Sequence, residues 1–288
     1  MDAASRIEQA LYSALSKSEG PSCPPRLAAA MRAAVFPKGA RIRPRVVLAV
    51  AAACGREDPA VTDIAAASIE LLHCASLVHD DLPCFDDAGT RRGRPSVHRQ
   101  FGEPLAVLAG DALIVLAFQN LARLNDVPKR LSALLKIIGR AVGAPSGIVA
   151  GQAWECEPKI NLAHYHRAKT GALFAGAAAA GAAAAGTDGE VWRQFGEKLG
   201  EAYQVADDIR DAVADPEDIG KPIGRDLALS RPSATREFGL FGAVSHLEKL
   251  VGEAIEAIPA CPGASDLKSL IALEVKRLVP KELAQSAA

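Results

Sequence analysis

Apolar residues recur along most of this chain at helical spacing, and the breaks between such stretches carry proline, glycine or clustered charge. Residues 5–17 place Ile7, Leu11 and Leu15 four apart, which predicts an amphipathic first helix that Pro21, Pro24 and Pro25 bring to an end. A second helix is predicted from Leu27 to Phe36, a third from Arg41-Ile42-Arg43-Pro44 through Ala53, and a long one over 59–82. Further helices are predicted at Glu103–Asn125, Lys129–Val142, a segment ending near Gly151-Gln152-Ala153-Trp154-Glu155, Tyr165–Gly186, 190–213, Leu240–Ala257 and Leu267–Leu278. Residues 214–235, rich in Asp, Gly and Pro, read as a loop. No alternation of apolar and polar positions runs long enough to build a sheet.

Composition agrees with an all-α chain. Hydrophobic residues make up 49%, with Ala and Leu prominent and aromatics at 5%, which favours helices over sheets. No Gly/Ser linker, charge block or shift in composition marks a boundary, so residues 1–288 read as one domain with a large core. The uncharged run Gly171–Gly186 is too short and too weakly apolar to span a bilayer and reads as a tightly packed internal helix. The N-terminus carries Asp2, Arg6 and Glu8 rather than the basic and apolar regions of a signal peptide. A net charge of -1 gives no electrostatic case for nucleic acid. The six cysteines (Cys23, Cys54, Cys74, Cys84, Cys156, Cys261) show no C-x-x-C or zinc spacing. Most read as small apolar residues in a reducing compartment. Together these features describe a cytoplasmic protein without an integral membrane segment.

Chemistry concentrates first in residues 79–92, where Asp80, Asp81, Asp86 and Asp87 fall close together and Arg91 and Arg92 follow. Clustered carboxylates repel one another unless a cation sits among them, and oxygen ligands suit a hard cation such as Mg2+. Guanidinium forks match phosphate oxygens. Pro83 disfavours helix at the residue before it, so the chain is expected to turn there and bring Asp86 back toward Asp80. His73 lies two helical turns before Asp80, on the same face. Lys38, Arg41, Arg43 and Arg45 crowd the start of the third helix, a position that favours anions. Lys169-Thr170 precedes the Ala/Gly run and places a cation at its mouth. Gln204, Asp207, Asp208 and Asp211 share one helix face, where a bound cation would reverse their mutual repulsion. Two acid-rich sites beside basic residues and an apolar interior suit a substrate with a diphosphate head and a hydrocarbon tail.

On these motifs the chain resembles the trans (head-to-tail) isoprenyl diphosphate synthases over about Ile7 to Leu278. Within them it is most similar to the geranylgeranyl diphosphate synthases of bacterial carotenoid and bacteriochlorophyll pathways. Asp80, Asp81 and Asp86, with Arg91-Arg92-Gly93 after them, match the family's first aspartate-rich motif, D-D-x-x-x-x-D. Asp207, Asp208 and Asp211, between Tyr203-Gln204 and Gly220-Lys221, match the second, D-D-x-x-D. The resemblance implies an isoprenoid-synthase-type bundle of roughly ten to a dozen helices around a deep central cavity, with both acidic clusters at its mouth, and a homodimer.

It also implies roles. Asp80 and Asp86, supported by Asp81, would hold two Mg2+ on an allylic diphosphate (dimethylallyl, geranyl or farnesyl). Asp207, with Asp208 and Asp211, would hold a third, giving about three per site. Arg91, Lys169, Thr170, Gln204 and Lys221 would contact the allylic substrate, with Lys169 and Lys221 acting alongside the metal carboxylates in catalysis. Gly39, Arg43, His73 and Arg92 would hold isopentenyl diphosphate. Ionisation, attack by the isopentenyl double bond and proton loss would follow in that order.

Three departures from the family pattern stand out. Ala40 replaces a usual lysine, Arg231-Pro232-Ser233-Ala234 replaces a K-x-T-Y pattern while Arg231 keeps the charge, and Glu155 stands where the family often has Asp. In this family the residue five before the first motif helps set the cavity floor. Here it is Ala75, with Cys74 and Ser76 beside it, which implies a C20 product rather than C15. Phe118 is the alternative floor. A class I terpene cyclase is disfavoured by the second motif and the arginine pair, and a histidine-based HD phosphohydrolase by the lack of further suitable histidines. A catalytically silent subunit of a heteromeric synthase usually loses an aspartate motif, and both are intact here.

Overall fold

The computed structural model describes residues 2–36, 39–159, 162–213 and 233–278. Lys38, Lys221, Arg225 and Arg231 lie outside the described residues. The first helix, α1 (Ala3–Ser18), begins where Asp2 accepts the Ser5 N–H at 2.9 Å, and it buries Ile7, Leu11 and Leu15 as their spacing predicts. Helix α2 (Pro25–Val35) opens on a proline at its first position, where no N–H is needed. Helices α3 (Ile42–Ala53) and α4 (Pro59–Asp80) follow, and α4 buries most of its length.

Next comes a feature with no counterpart in the helical reading. Residues Thr90–Arg91 (β1) and Arg94–Pro95 (β2) pair antiparallel, with Arg91 opposite Arg94. Arg92 (φ 53°) and Gly93 (φ 73°) form the two-residue turn between them, and positive φ at both central positions is what such a tight hairpin demands. Strands of two residues are too short to leave an alternation in the sequence. A short helix, α5 (Val97–Phe101), was likewise not predicted.

The remaining helices are α6 (Glu103–Ala122), α7 (Pro128–Val142), α8 (Ile148–Ala153), α9 (Leu162–His166), α10 (Ala172–Ala184), α11 (Arg193–Val213), α12 (Ala234–Glu256) and α13 (Ala264–Leu278). The span expected as one helix over Tyr165–Gly186 divides: α9 passes through a π-helical turn, Arg167–Gly171, before α10 starts. Helix α12 begins six residues earlier than its apolar pattern indicates and breaks at Gly239 (φ 69°).

Helix α10 is the axis of the molecule. Every residue from Ala172 to Ala184 is buried, and α3, α4, α7 and α11 pack around it. Small side chains make this approach possible. A Cβ on Gly181 would meet the Val47 carbonyl oxygen of α3 at 2.5 Å, and one on Gly176 would meet the Ala141 Cβ of α7 at 2.5 Å. The internal helix expected from the Ala/Gly run is therefore present. Helices α4 and α6 form another close pair. Ser68 Oγ donates to the Ala117 carbonyl at 3.1 Å, and Asn120 Nδ2 donates to the Ile64 carbonyl at 3.2 Å, so the polar groups buried between them are satisfied.

By length and composition alone, α4 and α6 are long enough and apolar enough to cross a membrane. Helix α4 is covered by its neighbours, whereas α6 leaves Val107, Leu108 and Val115 exposed. The cysteines are all free. Cys54 and Cys74 are buried as small apolar residues, whereas Cys84 and Cys156 are exposed and Cys23 and Cys261 half-buried. Burial pushes the Cys74 thiol up to about 11.

Candidate active site

The last turn of α4 carries Asp80, and the chain stops being helical at Asp81. The turn around Pro83 then folds back. Asp86 N–H donates to the Asp80 carbonyl at 2.9 Å, Asp87 N–H to the Leu82 carbonyl at 3.0 Å, and Ala88 N–H to the Asp81 carbonyl at 3.1 Å. The predicted return of Asp86 toward Asp80 is thus built from backbone hydrogen bonds. Carboxylate oxygens of Asp80, Asp86 and Glu155 lie within 4.8 Å of one another, a geometry able to hold a metal ion. Glu155 comes from the 3-10 turn Trp154–Cys156 that follows α8. Its residue was noted in the sequence as a departure and not as a candidate ligand. The available signal was a carboxylate three residues after Gln152, at the end of one short helix.

Around this group the neighbours are polar. Gln152 Nε2 donates to Asp80 Oδ1, and Tyr165 Oη donates to Glu155 Oε1 at 2.6 Å. Lys169 Nζ donates to Glu155 Oε1 and lies 3.6 Å from Asp80 Oδ1. Lys169 sits in the π-helical turn, whose wider winding presents it and Thr170 beside α8. A Cβ on Gly151 would meet the Lys169 backbone nitrogen at 2.4 Å, so that approach needs the glycine.

Asp81 points elsewhere. Its carboxylate is buried and accepts from both Nε (2.9 Å) and Nη2 of Arg91. Burial pushes the Asp81 carboxyl up, and the Arg91 guanidinium opposes that shift. The two motif residues therefore have different partners: Asp80 joins Asp86, while Asp81 fixes the arginine at the start of the hairpin.

A side-chain relay joins the second acidic cluster to Thr170, the residue after Lys169. Thr170 Oγ1 donates to Gln204 Oε1 at 2.8 Å, and Gln204 Nε2 donates to Asp208 Oδ1 at 3.0 Å. Asp208 Oδ2 also accepts the Ala234 N–H at 2.8 Å, anchoring the start of α12. Asp207 pairs with Arg210 one turn along α11. Asp211 is half-buried on the same helix. Among the described residues, Asp80, Asp86 and Glu155 are the set of three converging ligands, and the α11 aspartates do not join it.

A basic cluster lies two turns up α4. Arg43 Nη1 is 3.4 Å from His73 Nε2, and its guanidinium stacks over Phe174 at 4.6 Å and faces Tyr203 at 6.0 Å. Arg43 Nε and His73 Nδ1 are buried without hydrogen-bond partners. Burial together with the nearby Arg43 and Arg92 holds His73 well below the ordinary histidine range. Burial also lowers Arg43, while Tyr203 and Glu70 oppose that shift. Arg92 packs its guanidinium against Gly39, where a Cβ would come within 2.6 Å of Cζ. Arg41 adopts a left-handed backbone (φ 51°) and turns inward, to Glu8 (2.9 Å), Glu70 (2.8 Å) and the Val35 carbonyl (2.6 Å). It was read as one of four anion-binding cations, but its donors are spent on the protein. Removing one partner from such a buried pair costs about 3–5 kcal/mol.

Ala75 is fully buried on α4, Ser76 turns its hydroxyl back to the His73 carbonyl at 2.8 Å, and Phe118 is half-buried on α6 against the core.

The sequence from residue 24 to 261 matches the Polyprenyl synthetase family. A geranylgeranyl diphosphate synthase of Cereibacter sphaeroides is 51% identical over 280 residues, 97% of either chain. One from Rhodobacter capsulatus is 50% identical over 275 residues, 95% of either chain. The fold is similar to that of a geranyltransferase from Helicobacter pylori complexed with magnesium and isoprenyl diphosphate, with a TM-score of 0.78, 29% identity and coverage of 95% of this chain and 97% of that one. With its helical fold, its two acidic clusters and these likenesses, this chain belongs to the polyprenyl synthetase family and is a prenyltransferase.

Proposed function

We propose that the chain condenses isopentenyl diphosphate head-to-tail with allylic diphosphates, and that its end product is the C20 geranylgeranyl diphosphate. The observation that carries this reading is the pairing of two unlike sites along α4: converging carboxylates at Asp80, Asp86 and Glu155, and a half-buried arginine–histidine cluster at Arg43, His73 and Arg92. One end suits a diphosphate held through metal, the other a diphosphate held directly.

The donor set fits Mg2+, since three carboxylates converge without a thiol or imidazole among them. Asp80 and Asp86, joined by Glu155 and supported by Asp81 through Arg91, would hold two ions, and Asp207, with Asp208 and Asp211, would hold a third, about three in all. When bound, Mg2+ neutralises charge on the leaving diphosphate. Lys169, close to Asp80 and Glu155, donates to the same diphosphate as it departs, and Arg91, Thr170, Gln204 and Lys221 orient it. Arg43, Arg92, His73 and the Gly39 backbone hold isopentenyl diphosphate with its double bond toward the allylic carbon. His73, kept neutral, donates or accepts one hydrogen bond without adding charge. The apolar interior excludes water from the allylic cation until the new carbon–carbon bond forms. The proton lost from the adduct passes to the departing diphosphate. Arg231 would contact the substrate, and Ala75, Ser76 and Phe118 bound the growing tail.

The same reading covers residues 1–288 as a single cytoplasmic domain acting as a homodimer. The exposed Val107, Leu108 and Val115 on α6 support the dimer, because they give an apolar face for a second copy to cover.

The test is a product assay with Mg2+, labelled isopentenyl diphosphate and, separately, the C5, C10 and C15 allylic diphosphates. A C20 product that disappears on chelation is expected. A C15 stop would move the tail's limit to Phe118 or another wall, and no condensation with any primer would overturn the reading.

A further inference from the structure

Between the hairpin and α3 lies a carboxylate that the reaction does not use. Glu70 is on α4, one turn before His73, with a side chain only 1% exposed. An isolated charge so deep is costly, so its partners decide its role. One is Arg41, whose Nη1 donates to Glu70 Oε1 at 2.8 Å. The other is Arg92, whose Nη2 is 3.9 Å from the same oxygen. Arg41 is also held by Glu8 and by the Val35 carbonyl, so it stays where it is without full use of Glu70. The Arg92 guanidinium lies between Glu70 and the Gly39 backbone, at the tip of a two-residue turn. Its attraction to Glu70 draws it inward toward Arg43 and His73, on both of which its charge acts.

We infer that Glu70 is a positioning residue for isopentenyl diphosphate binding: its buried carboxylate holds Arg92 against Gly39, in the orientation that lets Arg92 and Arg43 grip one diphosphate. This rests on the function proposed above and adds a residue to it. Glu70 touches no substrate; it acts through Arg92. It also bears on Ala40, which is exposed and replaces the family's usual lysine: with that cation gone, the diphosphate depends more heavily on Arg92 being well placed.

Steady-state kinetics of Glu70→Gln, Arg92→Ala and the double variant test this. Glu70→Gln keeps the shape and a hydrogen-bonding oxygen while removing the charge. It is expected to raise KM for isopentenyl diphosphate about tenfold and leave KM for farnesyl diphosphate and kcat within about twofold, because the allylic site is built elsewhere. In the Arg92→Ala background the same substitution should change KM for isopentenyl diphosphate by less than twofold, since its target is absent. Equal factors in both backgrounds, or a rise in both substrates' KM together, would overturn the inference and leave Glu70 with a purely structural role. Should Glu70→Gln fail to fold, Glu70→Asp, which keeps the charge but withdraws it by one methylene, carries the same comparison. Failure of the wild-type enzyme to condense would count against the proposed function and not against the Glu70–Arg92 relation.

Discussion

The backbone N–H of Asp86 donates to the carbonyl oxygen of Asp80 at 2.9 Å, closing a turn that begins where α4 stops being helical. In an unbroken helix the two side chains would point apart; the turn around Pro83 converts a distance in sequence into a shared site. The carboxylates are therefore arranged by backbone geometry, and changing either side chain should leave the turn in place. Asp80→Asn and Asp86→Asn are each expected to reduce kcat by about 10²–10³-fold, the scale of losing one strong electrostatic contact to a departing group. Their thermal melts should stay within a few degrees of wild type. Near-normal turnover in either variant would show that these carboxylates do not carry the diphosphate's metal.

Glu155 provides a separate test of the same site, because it arrives from a different part of the chain. It accepts from Tyr165 and Lys169 and converges with Asp80 and Asp86. If it is a ligand, Glu155→Gln should shift the Mg2+ dependence of activity to higher concentration and lower kcat by about 10²-fold. Glu155→Asp, which restores the charge, should recover most of the Mg2+ affinity. Tyr165→Phe removes one hydrogen bond to Glu155 and should cost about 1 kcal/mol or less. An unaltered Mg2+ titration in Glu155→Gln would reduce Glu155 to a partner of Lys169.

How much of this was readable from the chain depends on how local the cause is. Both acidic motifs, the turn at Pro83 and the buried Ala/Gly helix depend on neighbours within one or two turns, and each was visible as spacing. The hairpin was not: two-residue strands carry no periodicity, and its only trace was Arg92-Gly93, a pair suited to positive φ. The inward turn of Arg41 was hidden for another reason. Its partners, Glu8 and Glu70, are far away in sequence, so nothing local distinguishes it from Arg43, which instead lies beside His73. Pairings such as Gln152 with Asp80, or Asp81 with Arg91 in place of Asp86, arise from tertiary packing and become legible only in the folded chain.

Chain length is the next consequence. Ala75 is fully buried one turn and a half before Asp80, so a larger side chain there must enter the interior that the tail would occupy. Ala75→Tyr is expected to move the main product from C20 toward C15 while preserving Mg2+ dependence and primer use. Product chromatography decides it. If the distribution is unchanged in a folded Ala75→Tyr enzyme, the limit is set elsewhere, and Phe118→Ala should then lengthen the product.

The basic cluster also makes a prediction about acid stability. Burial and the arginines beside it hold His73 well below its ordinary pKa, and burial lowers His166 as well. In the unfolded chain both would titrate near 6.5. As pH falls below that value the unfolded chain takes up protons that the folded chain does not, so these two histidines subtract from stability progressively until their folded pKa values are reached. Their contribution is fully present above pH 6.5 and is lost on the acid side. His73→Gln, which can preserve a hydrogen bond to Arg43 but cannot titrate, should therefore flatten the fall in melting temperature between pH 7 and 5. A steeper or unchanged slope would mean that His73 is protonated in the folded protein despite Arg43 at 3.4 Å.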